Sequence, residues 1–190
     1  GVCGPLAILA LDLSSHTGWA IRRRDGSVAS GVEHFSRVEE GPGVVYPRFR
    51  EWVRSLATTT ESRTEMHGAM SVERVAHAPS VDVIAWVAPA PSVDVIAWEQ
   101  VVVRHRTASM LYVLEAQVVE VAHKLGLAVV TVGPGTLKAH ATGKKTAKKP
   151  DMILAAAKRW PDRPAVLIDD NEADALCVLG WAIDTHEVTT

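Results

Sequence analysis

Residues 6–21, with the sequence LAILALDLSSHTGWAI, decide the fold. The run from Leu6 to Leu11 carries no charge and is long enough for a strand that is buried on both faces. The run delivers the carboxylate of Asp12 at its end, and residues 14–18 then form a tight polar turn. A lone acid at the end of a central strand is well placed to hold a cation or a phosphate. A turn aspartate that caps its own backbone is the commoner case for any single position.

The elements after this stretch predict a mixed sheet. Asp25-Gly26 is a strong hairpin signal, so strands at 19–21 and 27–35 continue the first strand as an antiparallel meander. The later pattern predicts, in order, a loop at 41–43, a helix at 44–56, a strand ending at Glu99, a helix at 107–125, a strand at 127–132, a loop or short helical turn at 133–142, a helix capped by Thr146 and running to Trp160, and a last helix from Asp169 or Asp170 to Ile183. We therefore predict an α/β fold whose five-stranded mixed sheet has three antiparallel strands, then two parallel ones, with flanking helices.

The sequence APSVDVIAW occurs twice, at residues 78–86 and again at 90–98. A repeat architecture needs several units with drift between them, so one letter-perfect copy does not indicate one. The copies differ in the residue that follows, which is Val87 after the first and Glu99 after the second. Because Glu99 mirrors Asp12 at the end of a strand, we predict that the second copy is the central strand and the first is peripheral.

Acidic side chains at the ends of these elements form the candidate site. Ligands lie outside the carboxyl ends of strands in open α/β sheets, so Asp12 and Glu99 lie side by side if their strands are parallel neighbours. The last helix begins DDNEADAL at position 169, which puts Asp170 or Asn171 one turn before Asp174 on a helical face. Each acid alone has a plain structural explanation, such as N-capping. Together they indicate a site for Mg²⁺ or Mn²⁺, which prefer oxygen ligands and relieve the repulsion between clustered acids.

Residues 138–159 carry a local excess of positive charge. They include seven Lys or Arg and one acid, Asp151, although the whole chain has a net charge of −2. Such a cluster is typical of a contact with the phosphate backbone, while a solvated helix start explains any single lysine about as well. His16 in the first turn is either a donor to the acids or a surface turn residue. The predicted DNA contacts are Arg104, Arg106, Lys144, Lys145 and Lys148.

Four stretches in this order resemble the RuvC family of Holliday junction resolvases, including its phage-type members, within the ribonuclease H-like superfamily. They are LALDLSSHTGWAI, AWEQVVVRHRTAS, GTLKAHATGKKTAKKPDM and DDNEADALCVLGWA. The resemblance covers the chain from Leu6 to Ile183 except residues 58–89. It implies a ribonuclease H-like fold and a nuclease whose metal ions activate water and stabilise the leaving 3′ oxygen.

Site residues follow from this resemblance by position. It implies that Asp12, Glu99 and Asp174 bind metal and that Lys138 and Lys149 lie near the scissile strand. The family's fourth acid falls on Asn171, a departure from the family pattern. The fourth ligand is then either the carbonyl oxygen of Asn171 or the carboxylate of Asp170.

Length and composition bound the class of protein. A chain of 190 residues with 47% apolar and 22% charged residues is typical of one soluble globular domain, so we predict a single RuvC-like nuclease domain over residues 1–190. Two cysteines without metal-type spacing, no secretory signal and no apolar stretch that spans a membrane predict a cytoplasmic protein.

The predicted function is a divalent-metal-dependent endodeoxyribonuclease that cuts branched DNA, with four-way junctions resolved by paired nicks. A junction has two equivalent strands to cut, so we predict a homodimer with the helix at 107–125 as its interface. Three alternatives stay open. They are a nuclease of this fold that acts on flaps, forks or RNA–DNA hybrids, a nucleotide binder of the sugar-kinase or actin type, and a non-catalytic junction-binding protein.

Overall fold

The computed structural model describes residues 4–59, 90–102 and 108–186. Its strands form one sheet in the order β3-β2-β1-β4-β5. Strands β1, β2 and β3 are antiparallel neighbours, and β4 and β5 run parallel to β1. The predicted mixed sheet of three antiparallel and two parallel strands is confirmed. The strand bounds are β1 (Ile8–Asp12), β2 (His16–Arg22), β3 (Val28–His34), β4 (Val95–Glu99) and β5 (Ala128–Val132).

Helices cover both faces of the sheet, as the spacing of apolar residues predicts. Within the described residues, no helix combines the length and the apolar character that crossing a bilayer requires. A short 3₁₀ turn at Ala165–Leu167 precedes the last helix. The helix bounds are α1 (Arg37–Glu40), α2 (Pro42–Thr58), α3 (Ala108–Leu125), α4 (Pro134–Thr142), α5 (Lys149–Arg159) and α6 (Asp170–His186).

Alternate residues of β1 belong to two different cores. Leu9 and Leu11 are fully buried in a cluster with residues of α2 and α3 such as Phe49 and Leu114. Ala10 belongs to the other cluster, which is built largely from α4, α5 and α6. Because side chains alternate along a strand, Asp12 shares the face of Ala10 and points toward the α6 side of the sheet.

Small residues let α6 lie very close to this face. Ala10, Ala20 and Ala97 occupy adjacent strands and are fully buried there. A Cβ added to Gly18 would lie 1.9 Å from the carbonyl oxygen of Asn171, so only glycine permits the first turn of α6 to rest on β2. This close approach brings the acids of α6 to the carboxyl end of β1.

The loop predicted at 41–43 is wrong for two of its three residues. Pro42 and Gly43 belong to the first turn of α2, where a proline is favoured because its missing N–H has no helical partner. The unpredicted α1 lies just before, with Ser36 accepting a hydrogen bond from the backbone N–H of Glu39. Gly41, at a φ of 78°, makes the sharp joint between the two helices.

The segment 133–142, predicted as a loop or short turn, contains the nine-residue helix α4. Thr146 was also the wrong choice as the cap of α5. That helix begins at Lys149, and the carboxylate of Asp151 accepts a 2.9 Å hydrogen bond from the backbone N–H of Lys148. The side chain that forms a hydrogen bond at this end of the helix is therefore Asp151, inside the first turn, and not Thr146 before it. Asp169 does precede α6, as predicted.

The second copy of APSVDVIAW supplies β4, which confirms that prediction. Asp94 of this copy accepts hydrogen bonds from the backbone N–H of Ala7 at 2.8 Å and from Arg24 at 2.5 Å. These contacts tie the entry of β4 to the start of β1. The first copy at 78–86 lies outside the described residues, so its peripheral placement stays a prediction.

Candidate active site

Asp12 and Glu99 are the last residues of two neighbouring parallel strands. Leu11 is the register partner of Trp98, and the next residue on each strand is the acid. Glu99 follows Ala97 on the same sheet face, as Asp12 follows Ala10, and both alanines belong to the core under α6. The sheet thus places the two carboxyl groups side by side at the edge where ligands bind in this class of fold.

The first two turns of α6 bring Asp170 and Asp174 to the same edge. Asp169 caps the helix, since its Oδ1 accepts a 2.9 Å hydrogen bond from the backbone N–H of Asn171. The buried residues Ala173 and Ala175 fix the helix against the sheet on either side of Asp174. The carboxylate of Asp174 is therefore held in the interface between helix and sheet.

The electrostatics show that these acids face one another. Burial and the charges of Asp174, Glu99 and Asp170 raise the pKa of Asp12 to about 8. Burial and the charge of Asp174 raise the pKa of Glu99 to about 7. Burial, with a contribution from Asp170, also raises the pKa of Asp174 to about 6. At neutral pH the cluster therefore resists carrying its full negative charge.

Two lysines border the acids. The charge of Lys138, on α4, opposes the rise in pKa of both Glu99 and Asp174. Lys149, the first residue of α5, forms an ion pair with Asp170, which lowers the pKa of that carboxyl. Lys138 reaches the acids from α4, which follows β5, and Lys149 reaches them from the start of α5 through its partner Asp170 on α6.

The two candidates for the fourth position differ in their surroundings. The side-chain amide of Asn171 donates a 2.8 Å hydrogen bond to Asp169, and its backbone carbonyl rests over Gly18. The charge of Asp170 acts on both Asp12 and Asp174. Asp170 thus offers a carboxylate to the cluster, while the amide of Asn171 serves the helix cap.

The carboxylate oxygens of this cluster are the kind of ligand that a hard divalent cation prefers. Oxygen ligands that repel one another are what Mg²⁺ and Mn²⁺ neutralise. Across residues 4–59, 90–102 and 108–186, however, no three His, Cys, Asp or Glu side chains already stand in a geometry that could hold a metal ion. The carboxyl groups are neighbours, and side-chain rotations are needed before they can share one ion.

The predicted DNA contacts fall into two groups. Lys144, Lys145 and Lys148 are all exposed in the turn between α4 and α5, next to Lys149. They extend the positive charge of the site along one side. Arg104 and Arg106 lie outside the described residues.

Sequence reasoning missed Glu172, which is only 6% exposed. Its Oε1 accepts a 2.6 Å hydrogen bond from the hydroxyl of Ser30 on β3 and lies 3.3 Å from the guanidinium of Arg163. Arg163 also donates a 3.0 Å hydrogen bond to the backbone carbonyl of Ser30. The signal was available, because Glu172 precedes Leu176 and Leu179 at helical spacing on the buried side of α6.

Comparisons with known proteins bear on the fold. No protein-family model matches the chain, and no curated protein sequence matches it. The structure of Thermus thermophilus RuvC matches with a TM-score of 0.62 and 16% identity, over 97% of this chain and 98% of that one. The T. thermophilus RuvC in complex with a Holliday junction substrate matches with a TM-score of 0.66 and 16% identity, over 97% of each chain. The chain therefore has the RuvC-like, ribonuclease H-like fold over nearly its whole length.

Proposed function

We propose that this RuvC-like chain is a divalent-metal-dependent endodeoxyribonuclease that cuts branched DNA, with the four-way junction as its substrate. The observation that carries the proposal is the cluster of Asp12, Glu99 and Asp174. These carboxyl groups meet at the carboxyl ends of parallel strands, and burial together with the charges of neighbouring acids raises the pKa of each. Ionising such a cluster without a bound cation is costly. The fold neighbour solved with a Holliday junction supports the choice of substrate.

In this proposal Asp12, Glu99, Asp174 and Asp170 hold Mg²⁺ or Mn²⁺. When bound, these ions supply an activated water for in-line attack and stabilise the leaving 3′ oxygen. The four acids must lose their protons to act as ligands, so the high pKa of Asp12 makes metal binding compete with protonation. Asp170 must also exchange its ion pair with Lys149 for the cation.

The lysines of the chain have the complementary role of holding the DNA strand. Lys138 and Lys149 border the acids and would contact phosphates at the cleaved position. Lys144, Lys145 and Lys148 are exposed farther out and would hold the backbone without regard to sequence. Arg104 and Arg106, which follow Glu99 in sequence, are proposed to add to this surface.

We further propose a homodimer that pairs α3 with its symmetry mate. Five exposed positions of α3 recur every three or four residues, a spacing typical of a helix–helix seam, and none of the five is Lys, Arg, Asp or Glu. The exposed Lys124 follows the last of them near the end of the helix. The large apolar side chains Tyr112 and Val119 are 51% and 45% exposed on it. Two copies related by a two-fold axis would present two sites to the two equivalent strands of a junction. The stripe consists of Ser109, Tyr112, Ala116, Val119 and His123.

A cleavage panel tests this function against its rivals. Synthetic four-way junction, flap, fork, RNA–DNA hybrid and linear duplex are incubated with the protein, with Mg²⁺ or with chelator. Paired nicks in opposite strands of the junction, seen only with Mg²⁺, are the expected result. Preferred cutting of flaps, forks or hybrids favours another nuclease of this fold. Tight junction binding without cleavage in Mg²⁺ or Mn²⁺ favours a non-catalytic binding protein.

A further inference from the structure

Two histidines share the sheet face of the acids, just beyond the end of β1. His16 opens β2 and His34 closes β3, and they are direct cross-strand partners. Each lies an even number of residues from the β2–β3 pair of Ala20 with Ser30, and Ala20 belongs to the core under α6. The alternation of side chains therefore puts both rings on the face of Asp12. Their centroids are 4.3 Å apart, so they form one pair.

The pair lies close to the acidic cluster. Asp12 is the register partner of Gly18, two residues from His16 along β2. With ~3.4 Å per residue along a strand and ~4.8 Å between strands, the Cα atoms of His16 and Asp12 lie roughly 8 Å apart. A DNA strand carries one phosphate for about every 3.4 Å of helix axis. If the cleaved phosphate of a DNA strand contacts the acids, a phosphate at most about two positions away along the same DNA strand can therefore reach the histidines.

Hydrogen bonds to backbone carbonyls beside His16 and at His34 hold the ends of β2 and β3, and Nδ1 of His16 lies 3.3 Å from the hydroxyl of Ser15. The N–H of Phe35 donates a 2.7 Å hydrogen bond to the carbonyl of Ser15. The guanidinium of Arg48 donates to the carbonyl of His34. Both histidines are exposed. The pair is thus positioned by the sheet and by α2, before any ligand arrives.

The charged groups around the pair do not block an incoming anion. Glu39 of α1 lies 3.7 Å from Nε2 of His34, but its side chain is 73% exposed and can turn into solvent. Glu40 also interacts electrostatically with His34, but its carboxylate already forms a 2.7 Å ion pair with Arg48. Further negative charges on this face are the acids of the site itself, Asp12 foremost, and the buried Glu172, which Ser30 and Arg163 hold.

The geometry points to His16 and His34 as a phosphate clamp on the β2–β3 side of the acids, opposite Lys138 of α4. Its ligand is a phosphodiester of the substrate strand next to the cleaved one. A neutral imidazole donates one N–H to a phosphate oxygen, and an imidazolium adds a positive charge. The inference deepens the proposed function and rests on it.

Junction binding at two pH values tests the clamp. The parent protein carries Asp12→Asn, which is expected to prevent cleavage, and the probe is a fluorescent synthetic four-way junction. Adding His16→Gln and His34→Gln should weaken binding about tenfold at pH 5.5 and lower the salt slope of log K by about 1 to 2. At pH 8.5 the difference should shrink to about threefold or less. The matched control is His140→Gln, a histidine of α4 whose ring faces Asp184 and not the acids, and it should change nothing.

The possible outcomes separate the clamp from the function on which it rests. A double variant that keeps the parent's affinity and salt slope at pH 5.5 overturns the clamp and leaves the nuclease proposal intact. A loss of affinity that is equal at both pH values, with an unchanged salt slope, also overturns the clamp, because it indicates damage to the β2–β3 hairpin. If the Asp12→Asn parent itself does not bind the junction, the proposed substrate and the clamp are both wrong.

Discussion

The hydroxyl of Ser30 on β3 donates a 2.6 Å hydrogen bond to the buried carboxylate of Glu172 on α6. This contact joins the edge of the antiparallel half of the sheet to the helix that carries Asp170 and Asp174. Glu172 precedes Asp174 by two residues, so whatever moves Glu172 also moves the candidate site. The bond is therefore a positioning contact for the acids of α6.

Replacing Glu172 tests how much this contact stabilises the folded protein. Glu172→Ala leaves the Ser30 hydroxyl without its acceptor in a buried place, so the free energy of unfolding should fall by about 1–3 kcal/mol. Glu172→Gln keeps an acceptor oxygen and should lose less. Urea denaturation measures both, with Glu39→Ala as a control at an exposed glutamate. Equal stability of the Glu172→Ala and parent proteins would show that the contact contributes nothing.

Stability without metal should fall as pH rises. The pKa values of Asp12, Glu99 and Asp174 are raised to about 8, 7 and 6, whereas unfolded carboxyl groups titrate near pH 4. Between about pH 4 and 8 the native state therefore binds more protons than the unfolded state, and the free energy of unfolding decreases with pH. Thermal melting in chelator from pH 5 to 8 measures this decrease.

Added Mg²⁺ should reverse that loss at high pH, because a ligand that binds only the native state stabilises it. The Mg²⁺-induced rise in Tm should be clear at pH 8 and small at pH 5, where protons occupy the acids. Asp12→Asn should flatten the pH dependence and shrink the response to Mg²⁺. An identical Tm response in this variant would remove Asp12 from the metal site.

Two groups of lysines should affect different quantities, one the affinity for DNA and the other the rate of cleavage. Charge reversal at Lys144, Lys145 and Lys148 should weaken binding to all DNA, and each lost phosphate contact should lower the salt slope by about 1. Lys138→Ala or Lys149→Ala should reduce the cleavage rate more than the affinity, since these two border the acids. Titrations at several salt concentrations and single-turnover rates measure the two effects. An unchanged slope in the triple variant would mean that this surface does not meet DNA.

Deleting residues 78–89 should leave folding and cleavage nearly intact. The second copy alone provides β4, and its Asp94 makes the contacts that anchor the strand to Ala7 and Arg24. The first copy is followed by Val87 where the second copy is followed by Glu99, so the first copy cannot supply the acid that the site needs. Circular dichroism and junction cleavage check the deletion. Loss of folding or of activity, with Glu99 still present, would contradict the peripheral role of the first copy.

Strong local signals made most of the fold predictable. The uncharged run ending at Asp12 and the Asp25-Gly26 turn specify their strands through short-range chemistry. Glu99 could be placed beside Asp12 because parallel strands deliver their last residues to one edge. The start of α5 was missed because Asp151, inside the helix, accepts a hydrogen bond from the backbone N–H of Lys148, so the helix begins two residues later than a Thr146 cap predicts.

Long-range contacts limited prediction of the site. The bond between Ser30 and Glu172 joins residues 142 positions apart, and nothing in either local sequence indicates the other. The pairing of His16 with His34 likewise depends on the register of β2 with β3. The sequence left the choice between Asp170 and Asn171 open, and only the packing of α6 over Gly18 shows the different surroundings of the two side chains.

The most direct test of the central claim is cleavage of a labelled four-way junction by the parent protein and by Asp12→Asn, Glu99→Gln and Asp174→Asn, in Mg²⁺, with binding measured in parallel. Each variant should cut about a hundredfold more slowly or worse, because it lacks a metal ligand, yet bind the junction as tightly as the parent. Cleavage at the parental rate by all three variants would contradict a metal-dependent active site at this edge of the sheet.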